Sequence, residues 1–143
     1  MRPHVDFQVI RQFTYVYATV CPCTGQTFSL ILPDADSAMM NLFITELVAH
    51  YKEYRVIMVA DQASWHKSAS LKKHDNLRFI FLPPASPELN PAEHLWEHVR
   101  EKYFANRVFD SLGDVEERLE RSFHEVYHDA EAIRSLVSFS WIN

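Results

Sequence analysis

The sequence predicts an α/β domain, a mixed sheet with helices packed on it. Three observations carry this. Residues 13–20 read Phe-Thr-Tyr-Val-Tyr-Ala-Thr-Val, aromatic, β-branched and alternating, as a strand does. Residues 56–60 form a short continuous apolar run, the pattern of a strand buried on both faces. Leu112, Val115, Leu119, Phe123 and Val126 recur at helical spacing, with Glu and Arg between them. A chain of 143 residues, almost half of them apolar, is enough for one domain with its own core, spanning 1–143.

Taken in order, 13–20 and 26–32 are two strands joined by a turn at Cys21-Pro22-Cys23-Thr24-Gly25, which makes a hairpin. Pro33 ends it. Asp36 or Ser37 can cap a helix to about Tyr51, whose apolar face would be Met39, Leu42, Phe43, Leu47 and Val48. A strand over 54–60 follows and ends at Asp61. A short helix is expected over 64–73, then a strand over 77–82. Prolines 83, 84, 87 and 91 then make a stiff connector, because proline lacks the amide hydrogen and fixes φ. The connector stops at Asn90, a good N-cap. Pro91 suits the first helical position, and Glu93 stands three residues after the cap. The helix from Pro91 to about Ala105 places Leu95, Trp96, Val99 and Tyr103 on one side. Ser111 can cap a last long helix, and 130–138 a shorter one.

Composition narrows the function. The formal charge is −5, which counts against simple coating of DNA but not against an enzyme whose carboxylates hold cations at a phosphate. Two glycines in the whole chain exclude a glycine-rich phosphate loop. No apolar run is long enough to span a bilayer, and the first residues lack the plan of a signal peptide, so a cytoplasmic protein is expected. Cys21 and Cys23 build no disulfide framework, and buried or half-buried free thiols are the expectation.

Two carboxylates stand out. Asp61 sits where a buried strand ends, the place where open α/β sheets put their sites; it could equally cap the next turn. Glu93 could be the far half of a capping box. If the strands over 54–60 and 77–82 are adjacent and parallel, both acids come to one rim. There they repel unless protonated or bridged by cations, and Mg²⁺ suits oxygen ligands. Lys67, Lys72, Lys73 and Arg78 follow Asp61, and Arg100, Lys102 and Arg107 follow Glu93; either group could meet phosphates, or be solvated charge. His94 and His98 stand four apart, with His66 and His74 upstream, yet no third zinc ligand falls at a diagnostic spacing.

The run 59–68, Val-Ala-Asp-Gln-Ala-Ser-Trp-His-Lys-Ser, and the run 82–96 with Leu82-Pro83-Pro84, Ser86-Pro87-Glu88-Leu89-Asn90-Pro91, Glu93 and Leu95-Trp96, resemble the catalytic domain of bacterial insertion-sequence transposases of the mariner superfamily. The hairpin stretch 15–25 looks familial too. The resemblance implies a ribonuclease-H-like fold and a triad of two Asp and a final Glu or Asp. It also implies two Mg²⁺ or Mn²⁺ ions. The chemistry would be cleavage at transposon ends, then attack of the freed 3′-hydroxyl on target DNA. A homodimer is the expected assembly. Asp61 matches the second acid and Glu93 the third, and their separation of 32 positions is of the family's short kind.

One departure matters. The family's first Asp lies on a strand before the hairpin, and Asp6 in Val5-Asp6-Phe7 does not carry that motif. The family's helix-turn-helix region is not matched either. The chain therefore reads as the C-terminal part of a transposase whose first, central strand is missing. Its slot, between the hairpin and the Asp61 strand, is expected to be filled by residues 5–10 or by a second copy. Three functions follow: a transposase catalytic fragment, a non-catalytic dimerising module that regulates a full-length transposase, or a metal nuclease completed by Asp6 or Glu97.

Overall fold

The computed structural model describes residues 14–61, 70–84 and 87–138. Strands β1 (Tyr15–Val20) and β2 (Thr27–Leu32) pair antiparallel in the register Tyr15↔Leu32 through Val20↔Thr27. The turn is closed by Cys21 N donating to Gln26 O at 2.8 Å and Gly25 N donating to Cys21 O at 2.7 Å. Gly25 has φ +75°, and a Cβ there would stand 1.8 Å from the Ala130 carbonyl oxygen. The glycine is what lets a later helix rest on the turn.

Helix α1 (Ser37–His50) starts at Asp36, whose side chain accepts from Met39 N at 2.8 Å. Strands β3 (Val56–Ala60) and β4 (Leu77–Phe81) pair parallel, Val56↔Leu77 through Ala60↔Phe81. A single 3₁₀ turn at Pro87–Leu89 leads into α2 (Pro91–Val99), which runs on as a π-helical turn over Arg100–Phe104. Helices α3 (Leu112–His128) and α4 (Ala130–Val137) complete the chain's order, each capped by the residue before it: Ser111 Oγ accepts from Asp114 N, and Asp129 Oδ1 from Ala132 N.

Strand β1 divides the core in two. Tyr17 faces α1 and packs with Leu32, Met40, Phe43, Ile44, Leu47, Met58 and Leu77. Val16, Ala18 and Val20 face the other way, onto Leu95, Val99, Tyr103, Phe123, Val126, Ile133 and Val137 of α2, its π turn, α3 and α4. The hairpin is thus covered on both faces, and α1 joins it to β3 and β4.

Several expectations are corrected. The mixed sheet is, among the described residues, two two-stranded ladders with no hydrogen bonds between them. Residues 5–10, Asp6 among them, were expected to bear on a further strand and lie outside the described residues. Strand β3 is not buried on both faces, since Ile57 is 65% and Val59 45% exposed. With Ile80 of β4 they form an apolar face that no layer of the described residues covers, because α2–α4 sit on the hairpin instead. Residues 70–73 are turn and coil, so no helix reaches Lys73; the rest of the predicted 64–73 helix lies outside the described residues. In α1 the buried stripe is Met40, Phe43, Ile44 and Leu47, while Leu42 is exposed. Cys21 and Cys23 are free but exposed, because they sit in the turn beyond the strands.

Candidate active site

Asp61 is positioned by the parallel pair. Leu82 N donates to Ala60 O at 2.8 Å, extending the ladder by one bond beyond β4. Asp61 is the next residue, at the carboxyl end of β3, and it is exposed. Apolar side chains hold the strand below it: Met58 is buried in the core with α1, and Ala60 is buried too. The adjacency and parallel sense of β3 and β4, which the two-carboxylate reading requires, are therefore present.

Glu93 is positioned by a helix cap. Asn90 Oδ1 accepts from Ala92 N at 3.0 Å, and Glu93 N donates to the Asn90 carbonyl at 3.1 Å. The reciprocal bond of a capping box, from the Asn90 amide to the Glu93 carboxylate, is not formed. Among the described residues that carboxylate has no hydrogen bond or ion pair, and it is exposed. Behind it, Pro91, Leu95 and Val99 are buried and fix the helix. The first turn of α2 thus presents an acid to solvent with no structural partner.

The chemistry of the two acids suits a hard divalent ion. Asp61 and Glu93 each offer carboxylate oxygens, which Mg²⁺ and Mn²⁺ prefer. Among the described residues no group of three or more His, Cys, Asp or Glu is arranged to hold a metal ion. Glu97, one turn beyond Glu93 on α2, is exposed but does not complete such a group.

The basic residues divide. Lys67 lies outside the described residues. Lys72 and Lys73 are exposed in the segment leading to β4, which α1 straps down: Asn41 Oδ1 accepts from Lys72 N at 2.8 Å, and Asn41 Nδ2 donates to Ser70 O at 2.9 Å. Arg78 is not at the rim. It pairs in register with Ile57, four residues before Asp61, so about 13 Å of strand separates them. Its guanidinium donates to Leu77 O at 2.8 Å and His74 O at 3.3 Å. Arg100 is exposed and lies seven residues after Glu93, two turns on along the same side of the helix.

Among the described residues the histidines form no zinc centre with these acids. His94 Nδ1 lies 3.3 Å from Leu136 O, and His98 is half-buried on α2. Tyr103, from the π turn, donates a short hydrogen bond to Glu125 of α3, while Arg118 Nε donates to the Tyr103 carbonyl at 3.0 Å. Burial, and then Glu125, push the Tyr103 hydroxyl up to about 12. This cluster ties α2 to α3 and is structural.

A mixed α/β architecture with an acid at a strand's carboxyl end and a second at the next helix's start fits a nuclease-type domain. Residues 8–116 match the model of the DDE superfamily endonuclease family, and the chain belongs to that family. It is 33% identical over 130 residues to the uncharacterized protein y4pE/y4sA of Sinorhizobium fredii, covering 90% of this chain and 89% of that protein. It is also 42% identical over 59 residues to the transposable element Tcb2 transposase of Caenorhabditis briggsae, 35% of this chain and 22% of that one. No solved structure matches the chain.

Proposed function

We propose that this chain carries the catalytic domain of a bacterial insertion-sequence transposase of the mariner type, with a ribonuclease-H-like fold. Its substrates are DNA, first the transposon ends and then the target. Asp61 and Glu93 are its catalytic carboxylates and would hold Mg²⁺ or Mn²⁺, two ions when the site is complete. Such ions neutralise charge on a phosphodiester as it is cleaved. What the chain itself supplies is two acids on rigid elements, with Arg100, and more loosely Lys67, Lys72 and Lys73, as phosphate contacts. The protein works as a homodimer in the cytoplasm.

The observation that carries this reading is the Glu93 carboxylate, capped into place yet bonded to nothing among the described residues. A capping glutamate would be bonded to its own cap; a ligand would be left free, as this one is. Two acids alone would hold ions weakly and position them poorly, so activity requires a further ligand beside Asp61 and Glu93. One finding favours a second reading, a non-catalytic module that dimerises with and regulates a full-length transposase. No third ligand joins the pair among the described residues.

Nicking of a DNA fragment bearing transposon ends, in Mn²⁺, tests both. Slow cleavage that Asp61→Asn and Glu93→Gln each abolish supports the catalytic reading. No cleavage by the chain alone, with inhibition of a full-length transposase when the chain is added, supports the regulatory one.

A further inference from the structure

Helix α3 ends in a second histidine pair that the candidate active site does not use. His124 and His128 are four residues apart, both exposed, and their ring centroids are 4.5 Å apart at an interplanar angle of 67°. Two imidazoles that share one zinc ion each place it about 2 Å from a ring nitrogen, which at a tetrahedral angle separates the centroids by about 5 Å. The centroid spacing is thus within about 1 Å of the chelating one. The other pair at this spacing differs, because His94 is engaged with the Leu136 carbonyl.

The described residues of the same chain do not close the coordination sphere. His50 of α1 packs on Tyr127 at 6.3 Å, and Tyr127 in turn packs on His128 at 5.2 Å. Among the described residues no third His, Cys, Asp or Glu joins the pair. Zinc takes four ligands in structural sites. A two-fold axis passing through the ion would supply the missing two from the same residues of a second copy.

We propose that His124 and His128 are half of a zinc site that joins two copies of this chain, each copy contributing both imidazoles. Imidazole nitrogens select Zn²⁺ over the hard ions expected at Asp61 and Glu93, so the two sites are chemically separate. The proposal does not depend on the nuclease reading.

The test is calorimetric titration of the full chain with ZnCl₂, alongside sedimentation equilibrium with and without zinc. The expected result is one zinc per two chains with micromolar affinity or better. It comes with a zinc-dependent gain in association, read as doubled mass or as a dimer that resists dilution, and chelator reverses it. His124→Ala and His128→Ala, both at exposed positions, should each weaken binding by at least about tenfold, while His98→Ala should not. One zinc per chain without any change in association, or binding that His124→Ala leaves intact, overturns the proposal. So does no binding up to about 100 μM zinc.

Discussion

Replacing Gly25 with alanine tests how the hairpin and the helical layer depend on each other. The added methyl would stand 1.8 Å from Ala130 O and 2.6 Å from Arg134 N. Both are backbone atoms, so no side chain can swing away to make room. The start of α4 must move off the turn, or the turn must open. The left-handed φ of +75° adds about 1 kcal/mol for a residue with a Cβ. Moving α4 uncovers part of Ile133, 2% exposed, and Val137, fully buried. Complete exposure of one such side chain costs about 1.5–3 kcal/mol, so partial exposure of two costs about 2–3. The expected loss is about 3–4 kcal/mol, or about 10 °C in the midpoint of thermal unfolding for a domain of this size. Gly25→Asn separates the causes, since asparagine tolerates the left-handed region but brings the same Cβ. It should cost nearly as much as alanine. In the Gly25→Ala background, Ile133→Ala should cost less than in the native chain, because the helix is already displaced. Urea unfolding followed by circular dichroism measures all of these. A loss under about 1 kcal/mol for Gly25→Ala would refute the close seating of α4 on the turn.

Other expectations follow from named contacts. Tyr103 is raised to about 12 when folded, against about 10 when unfolded, so the folded state holds its proton more tightly. That contribution, at most about 2–3 kcal/mol, is complete below pH 10 and is lost as pH rises from about 10 to about 12. Tyr103→Phe should flatten the fall in unfolding midpoint across that window, and an unchanged fall would remove Tyr103 as its source. Asn90→Ala should cost about 1 kcal/mol, and Asn90→Asp much less, because the cap on Ala92 N is lost in one and kept in the other. Equal midpoints for the two variants would argue that the cap does not hold α2. Glu93→Gln, at an exposed position, should change stability by less than about 0.5 kcal/mol, which thermal unfolding checks before any activity is compared.

The parts of the fold that local chemistry decides were legible in the sequence. The hairpin, the caps at Asp36, Asn90 and Ser111, and the buried face of α2 lie where residue type and spacing put them. What was misread depends on neighbours distant in the chain. Helix α1 carries apolar residues at 39, 40, 42, 43, 44, 47 and 48, so periodicity alone cannot choose its face. The choice of Met40 and Ile44 over Leu42 was made by packing against the hairpin and β3–β4. A continuous apolar run such as 56–60 says that a strand forms there, not that a layer covers both its sides. The π turn over Arg100–Phe104 has no signal in residue type. Of the candidate site, the positions of Asp61 and Glu93 on their elements were legible, as was the parallel pairing of β3 with β4. Their proposed joint role rests on the resemblance of two motifs and on family membership.

Affinity for Mn²⁺ is the most direct check on that joint role. Titration of the native chain, Asp61→Asn, Glu93→Gln and the double variant, followed by the paramagnetic signal of free ion, completes a double-mutant cycle. If the two acids share an ion, each single change should remove most of the binding and the second should add little. Native-like affinity in both single variants, or losses that simply add, would mean that Asp61 and Glu93 do not act on a common cation.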